Sequence, residues 1–147
     1  MITIKYTIEN DVNYTLKKAY DGDGGYDIQL PNDLTIESLE TKIIDTGVIF
    51  ELPHNIHAQF MVRSSIAKKG IILANTIIDS NYRGHTFLII TNVSKMTQHF
   101  SAGDRIASVL FIDTRTVDAN IKLDKVTPDQ INKITTRSDK AFGSSGK

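Results

Sequence analysis

Apolar and β-branched positions along this chain gather into short runs separated by turn residues. The runs are Ile2–Ile8, Tyr26–Gln29, Thr35–Leu39, Lys42–Phe50, His57–Val62, Ile71–Asn75, Thr86–Asn92, Gln98–Phe100 and Ile106–Thr114. Turn residues punctuate them at Gly22–Gly25, Pro31–Asp33, Pro53–Asn55, Asp79–Gly84 and Ala102–Asp104. Short strands with turn signals every ~8–12 residues predict a sandwich or jelly roll. One or two helical turns are predicted at Ser65–Lys69, with Ser64 as cap and Gly70 closing the end in the left-handed conformation. The segment Thr136–Lys147 is polar and Gly/Ser-rich except for Phe142. It has too little apolar area to order itself, which predicts a flexible arm unless something binds it. The expected organisation is one β domain over residues 1–135 and an arm over 136–147. Between them, Val117–Ile134 reads as a linker and a late strand leading to the arm.

Composition strengthens the β assignment. Ile, Val and Thr account for 43 of the 147 residues, and Ala plus Leu for only 17. β-branched side chains fit a pleated sheet and crowd a helix, so the expected class is all-β with one short helix. The length suits a single domain. Lys plus Arg and Asp plus Glu are 17 each, giving a net charge of zero. No basic excess is present to hold a nucleic-acid backbone, so no nucleic-acid partner is expected. The chain has no cysteine, which excludes disulfides, thiolate catalysis and thiolate metal sites. Apolar stretches of four or five residues are too short to span a membrane, so no membrane partner is expected. The N-terminal Met1–Lys5 lacks a signal-peptide apolar core, and an intracellular location is expected.

Five polar segments carry candidate chemistry. They are Asp21–Asp27 (Asp-Gly-Asp-Gly-Gly-Tyr-Asp), Arg63–Ala67, Asn75–Gly84, Gly103–Ala107 and Arg137–Gly146. Four of the five arginines fall inside them: Arg63, Arg83, Arg105 and Arg137. Arginine presents a planar, permanently charged fork suited to phosphate. Each segment also has a plain structural reading. Asp21, Asp23 and Asp27 echo a calcium loop, but the twelfth position is Asn32 rather than Glu, which leaves a Gly-rich turn. Arg63-Ser64-Ser65 is either a helix cap or an anion site. Ile77-Ile78-Asp79 fits a strand entering a turn. His54 and His57 lack a third metal ligand nearby and read as surface residues. Phe142 in a polar arm buries nothing locally and needs a partner surface.

Taken together, the order and spacing of the five segments resemble the homotrimeric dUTPase family. The resemblance runs from about Tyr20 to Lys147 and ends in Phe142-Gly-Ser-Ser-Gly146. Ser64–Gly70 and the short stretch to Asp79 are most similar to the viral and retroviral branches. Departures from the family pattern are Gly24 for Ala, Val62 and Ser65 in the Pro-Arg-Ser-Gly motif, Thr76 for Gly, and Ser108 for Gln. Ser138 and Ala141 stand where the fifth motif has glycines.

The resemblance implies a jelly roll of the β-clip type and a homotrimer with three active sites, each built from all three subunits. It implies hydrolysis of dUTP to dUMP and pyrophosphate, which limits uracil incorporation into DNA and supplies dUMP for thymidylate synthesis. Asp79 would orient and activate water for in-line attack on the α-phosphorus. A carboxylate of ordinary pKa ~4 is a weak base, so much of its effect would be positioning and electrostatics. Ile77 to Tyr82 would form a hairpin receiving the deoxyuridine, with Asn75, Ile77, Ile78 and Phe87 around the base and Tyr82 under the sugar. Arg63, Ser64 and Ser65 would hold phosphates from a neighbouring subunit, with Arg105 bracing the site. Mg2+ would ride on the triphosphate, with Asp27 touching it through water. Phe142 would stack on uracil, while Arg137, Gly143, Ser144 and Ser145 close over the phosphates. Two other functions share this scaffold: a dCTP deaminase and a non-catalytic signalling module. The deaminase needs a Glu about ten residues after Asp79, where this chain has Ile89. A signalling module would be free to lose Asp79 or the arm, and both are present.

Overall fold

A computed structural model describes residues 1–74 and 77–131. Eleven strands are present among them: β1 (Lys5–Ile8), β2 (Tyr26–Gln29), β3 (Leu34–Ile36), β4 (Thr41–Asp45), β5 (Val48–Glu51), β6 (Ile56–Val62), β7 (Ile71–Leu73), β8 (Ile77–Ile78), β9 (Phe87–Asn92), β10 (Gln98–Phe100) and β11 (Arg105–Asp113). They pair into a four-stranded sheet ordered β2-β11-β6-β8, a three-stranded sheet β4-β9-β7, and two-stranded ribbons β1-β5 and β3-β10. This is an all-β, jelly-roll-like single domain. Side chains alternate as a pleated strand demands. On β6, Ile56, Ala58 and Phe60 are buried, while His57, Gln59 and Met61 face outward. On β9, Leu88, Ile90 and Asn92 point in and Phe87, Ile89 and Thr91 point out.

The inward residues make one core containing Ile28, Leu30, Ile36, Phe50, Phe60, Leu88, Ile90, Ile106 and Val109. Phe111 packs against it edge-on to Phe50, with ring centroids 5.5 Å apart. Fully burying such a side chain contributes about 1.5–3 kcal/mol, so the core supplies most of the drive that shapes the sheets. Asn92 is completely buried and donates to the carbonyls of Ile36 (3.0 Å) and Met96 (2.7 Å), so its amide does not remain unpaired.

Several sequence expectations need correction. The run Lys42–Phe50 is two strands, broken at Thr46-Gly47. Gly47 has φ 68°, and a Cβ there would lie 2.6 Å from the Glu9 carbonyl oxygen. The break turns Thr46 inward, where its hydroxyl donates to the Thr86 carbonyl at 2.8 Å. The predicted helix is α1 (Ser64–Ala67). Its N-cap is Arg63 and no side chain caps it, so Ser64 is its first residue rather than its cap. Gly70 does follow in the left-handed region with φ 83°.

A second helix, α2 (Arg115–Asn120), and a 3-10 turn at Pro128–Gln130 are present in addition to the one short helix expected. They occupy the region read as linker and late strand; no strand occurs from Arg115 to Ile131. Asp118 explains the helix: it accepts from the Thr114 hydroxyl at 2.6 Å and from the Asn55 amide at 3.2 Å, tying α2 to the turn before β6. Among the described residues no helix is long and apolar enough to cross a membrane.

Candidate active site

Strand β6 carries chemistry at both of its ends. At its start, β8 pairs alongside with Ala58 opposite Ile78 and Gln59 opposite Ile77. The expected hairpin segment therefore enters as a strand on β6 and then turns. Asp79 begins the turn, which closes when the Tyr82 amide donates to the Asp79 carbonyl at 3.0 Å. Arg83 staples the turn by donating to the carbonyls of Ser80 (2.7 Å) and Tyr82 (2.8 Å). Arg83 is thus a structural arginine. Beyond the turn lies a cleft of about 420 Å³ whose lining includes Ile77, Ile78, Asp79, Tyr82, Phe87 and Ile89. Five of the residues predicted from the sequence meet there. The apolar walls and a carboxylate at the rim suit a flat base-like ligand whose reactive end projects outward.

Tyr82 is fixed from two sides. Its hydroxyl donates to the His85 carbonyl at 2.7 Å. A Cβ on Gly84 would lie 2.5 Å from the Tyr82 oxygen and 2.8 Å from Cζ, so only glycine leaves the ring where it is. His85 in turn sits between two carboxylates, with Nδ1 2.8 Å from Asp45 and Nε2 3.2 Å from Glu9. The hydrogen bonds to Asp45 and then Glu9 push the His85 pKa above its ordinary value. Burial pushes the Asp45 carboxyl up, but the hydrogen bonds from His85 and the Gly47 amide outweigh it and hold it below the usual carboxylate value.

At the other end of β6 a shallow basic depression of about 300 Å³ is lined by Arg63, Ser65, Lys69 and Arg105, among others. Asp27 organises it. The order β2-β11-β6 brings the first, second and fourth polar segments side by side. The Asp27 carboxylate is nearly buried, with its side chain 8% exposed; Oδ1 lies 3.3 Å from Arg63 Nε and Oδ2 3.2 Å from Arg105 Nη1. Gly25 permits this close approach of β2 to β11, because a Cβ there would sit 2.8 Å from Ser108 Cβ. Gly24 is different: a Cβ would meet only Leu110 at 3.9 Å, an ordinary contact, so the alanine usual in the family would fit.

The predicted residues therefore fall into two groups within one chain. His57 lies beside Asp79 at 3.7 Å, and Arg63 is six positions further along the chain, just past the end of β6. At ~3.3 Å per residue this is roughly 20 Å. Asn75, Arg137, Phe142, Gly143, Ser144 and Ser145 lie outside the described residues, as does the whole arm. Ser64 is exposed and does not line either depression. Two residues were missed. His57, expected at the surface, has its Nδ1 buried and adjacent to Asp79. His85 was not singled out, although it directly follows the Tyr-Arg-Gly of the third segment.

A profile of the dUTPase family matches residues 13–146. The deoxyuridine 5'-triphosphate nucleotidohydrolase of Wigglesworthia glossinidia brevipalpis is 35% identical over 133 residues, covering 86% of this chain and 83% of that protein. The Pol polyprotein of equine infectious anemia virus (strain Wyoming) is 33% identical over 131 residues, which is 89% of this chain but 11% of the polyprotein. The chain thus spans a small part of that relative. A structure of the Staphylococcus bacteriophage 80alpha dUTPase with dUpNHpp shares the fold, with a TM-score of 0.78 at 20% identity over 99% of both chains. The chain belongs to the dUTPase family, whose reaction is the hydrolysis of dUTP.

Proposed function

We propose that this chain hydrolyses dUTP to dUMP and pyrophosphate in an active site shared between subunits of a trimer. The observation that carries this reading is the separation along β6. The cleft with Asp79 offers a nucleoside pocket and a carboxylate, while Arg63 and Arg105 offer phosphate-binding charge roughly 20 Å away. A single triphosphate joins base and phosphates within one molecule, so one chain alone supplies half a site. A second copy that brings its Arg63 end against the first copy's Asp79 end completes it.

In this reading the apolar cleft takes uracil, with Phe87 and Ile77 against the base and Tyr82 under the deoxyribose. Ile89 lies in this cleft where the deaminase alternative needs a carboxylate, which favours hydrolysis. Asp79 holds water in line with the α-phosphorus and takes its proton as the oxygen attacks. The new P–O bond forms as the bond from the α-phosphorus to the oxygen bridging to the β-phosphate breaks, and pyrophosphate leaves with that oxygen. Arg63, Ser64 and Ser65 of the neighbouring copy hold the charge that builds on the phosphates.

The described residues contain no group of three side chains able to cage a metal, and both Asp27 oxygens already face guanidinium groups. Mg2+ would be carried by the triphosphate with its own waters, and Asp27, engaged by Arg63 and Arg105, would reach it only through water. When bound, the ion neutralises phosphate charge. Residues 136–147 act as an arm, with Phe142 over the base and Arg137, Gly143, Ser144 and Ser145 over the phosphates. Removing 136–147 is expected to leave the trimer intact and lower kcat/KM at least ~100-fold.

The test is pyrophosphate release from dUTP, dCTP, dTTP and UTP, with ammonia release followed in parallel for dCTP. Strong turnover of dUTP alone supports the reading. Ammonia from dCTP would support the deaminase, and no turnover of any of the four would support a binding module.

A further inference from the structure

We infer that His57 is a positioning residue for Asp79, donating from Nδ1–H to Oδ1 so that the other carboxylate oxygen faces the attacking water. The inference rests on the reading of Asp79 as the catalytic carboxylate. His57 projects from the outward face of β6, and the pairing of Ala58 with Ile78 sets Asp79 next to it. Nδ1 lies 3.7 Å from Asp79 Oδ1. That is beyond hydrogen-bond range, and it leaves no room for a bridging water.

Two further observations make the pair more than a neighbourhood. The His57 Nδ1 atom is shut off from solvent and has no hydrogen-bond partner. Native structures rarely leave a buried polar nitrogen unpaired, and each that is left so needs an explanation, a role in the site among them. The Asp79 side chain is the converse case: it is 71% exposed and His57 is the one cationic or potentially cationic side chain within 4 Å of it among the described residues. Among the described residues no other ion pair holds it. An approach of about 0.8 Å gives a normal hydrogen bond, satisfies the orphan nitrogen and fixes the carboxylate. Closure of a filled site is when such bonds tighten. A neutral imidazole protonated on Nδ1 is sufficient, so no charge on His57 is required.

A purely structural His57, wedged between β6 and β8, is the competing role. Four variants separate the two: His57→Leu keeps bulk without a donor; His57→Asn places an amide nitrogen about where Nδ1 sits; His57→Gln places it about where Nε2 sits; Asp79→Asn provides the second background. Single-turnover hydrolysis of dUTP, dissociation constants for dUpNHpp and melting temperatures are measured for each. The expected result is about a tenfold loss of rate in His57→Leu and His57→Gln with dUpNHpp affinity within about twofold. His57→Asn recovers most of the rate. In the Asp79→Asn background, His57→Leu changes the residual rate less than about twofold. A wild-type rate in folded His57→Leu or His57→Gln overturns the inference. So does failure of folded His57→Asn to recover the rate, or an undiminished His57→Leu effect in the Asp79→Asn background. Should His57→Leu not fold, the contrast between His57→Asn and His57→Gln decides alone: equal rates overturn the inference. Near wild-type turnover by Asp79→Asn itself would instead remove the reading on which the inference stands.

Discussion

Asp27 Oδ1 lies 3.3 Å from Arg63 Nε, joining a buried carboxylate on β2 to the arginine that follows β6. Arg105, on β11 between them, takes the other oxygen at 3.2 Å. A buried anion with two cationic partners is stable only while both remain, because an unpaired charge in a core is costly to desolvate. Replacing Asp27 with Ala is therefore expected to destabilise the fold by about 2 kcal/mol. It should also raise KM for dUTP, since Arg63 loses the contact that aims it. Urea denaturation at fixed protein concentration and steady-state kinetics check the two effects. Unchanged stability together with unchanged KM would remove Asp27 from its organising role.

Gly84 bears on sugar discrimination. Because a Cβ there would lie 2.5 Å from the Tyr82 hydroxyl oxygen, Gly84→Ala must displace the ring. The expected outcome is a drop of about tenfold or more in kcat/KM for dUTP and a narrower preference for dUTP over UTP. Tyr82→Phe loses only the hydrogen bond to the His85 carbonyl and should be milder. Competition assays with dUTP and UTP measure the preference. A Gly84→Ala enzyme with wild-type discrimination would show that Tyr82 does not face the sugar.

His85 makes stability depend on pH with a definite sign. Its folded pKa is raised above the ordinary 6.5 by Asp45 and Glu9. The protonated ring thus stabilises the fold fully below about 6.5, and this is lost as pH rises through the folded-state value. Asp45 runs the other way: its folded pKa is lowered from 3.8, so its contribution is present above that value and is lost as pH falls through the folded-state value. Melting temperatures across this range should fall on the alkaline side more steeply for the wild type than for His85→Gln. Parallel curves would show that the cluster contributes nothing measurable.

The sequence made β2 and β10 legible residue for residue, because short β-branched or aromatic runs bounded by turn residues have few alternatives. It also placed Gly70 correctly, since a helix end followed by glycine has a local cause. What it missed has non-local causes. The break at Gly47 depends on the Glu9 carbonyl packing against it. Helix α2 depends on Asp118 meeting Asn55 across the fold. The roles proposed for Asp79, Tyr82 and Arg63 come from the family resemblance of the polar segments. The His57–Asp79 contact was not legible, because it arises from the pairing of β6 with β8 rather than from spacing along the chain.

The central claim is that one catalytic unit needs the Asp79 end of one copy and the Arg63 end of another. Asp79→Asn removes the charge that activates water, and Arg63→Ala removes phosphate-binding charge. Each homotrimer alone is expected to lose about 10²–10⁴-fold in turnover. The direct test is to unfold the two variants together, refold them at equal concentration and measure pyrophosphate release from dUTP. Shared sites predict recovery to about a quarter of the wild-type rate, because a quarter of the sites in a random mixture combine an intact Asp79 with an intact neighbouring Arg63. A mixture that stays as inactive as its two parents, although native mass spectrometry shows mixed trimers, would contradict the account.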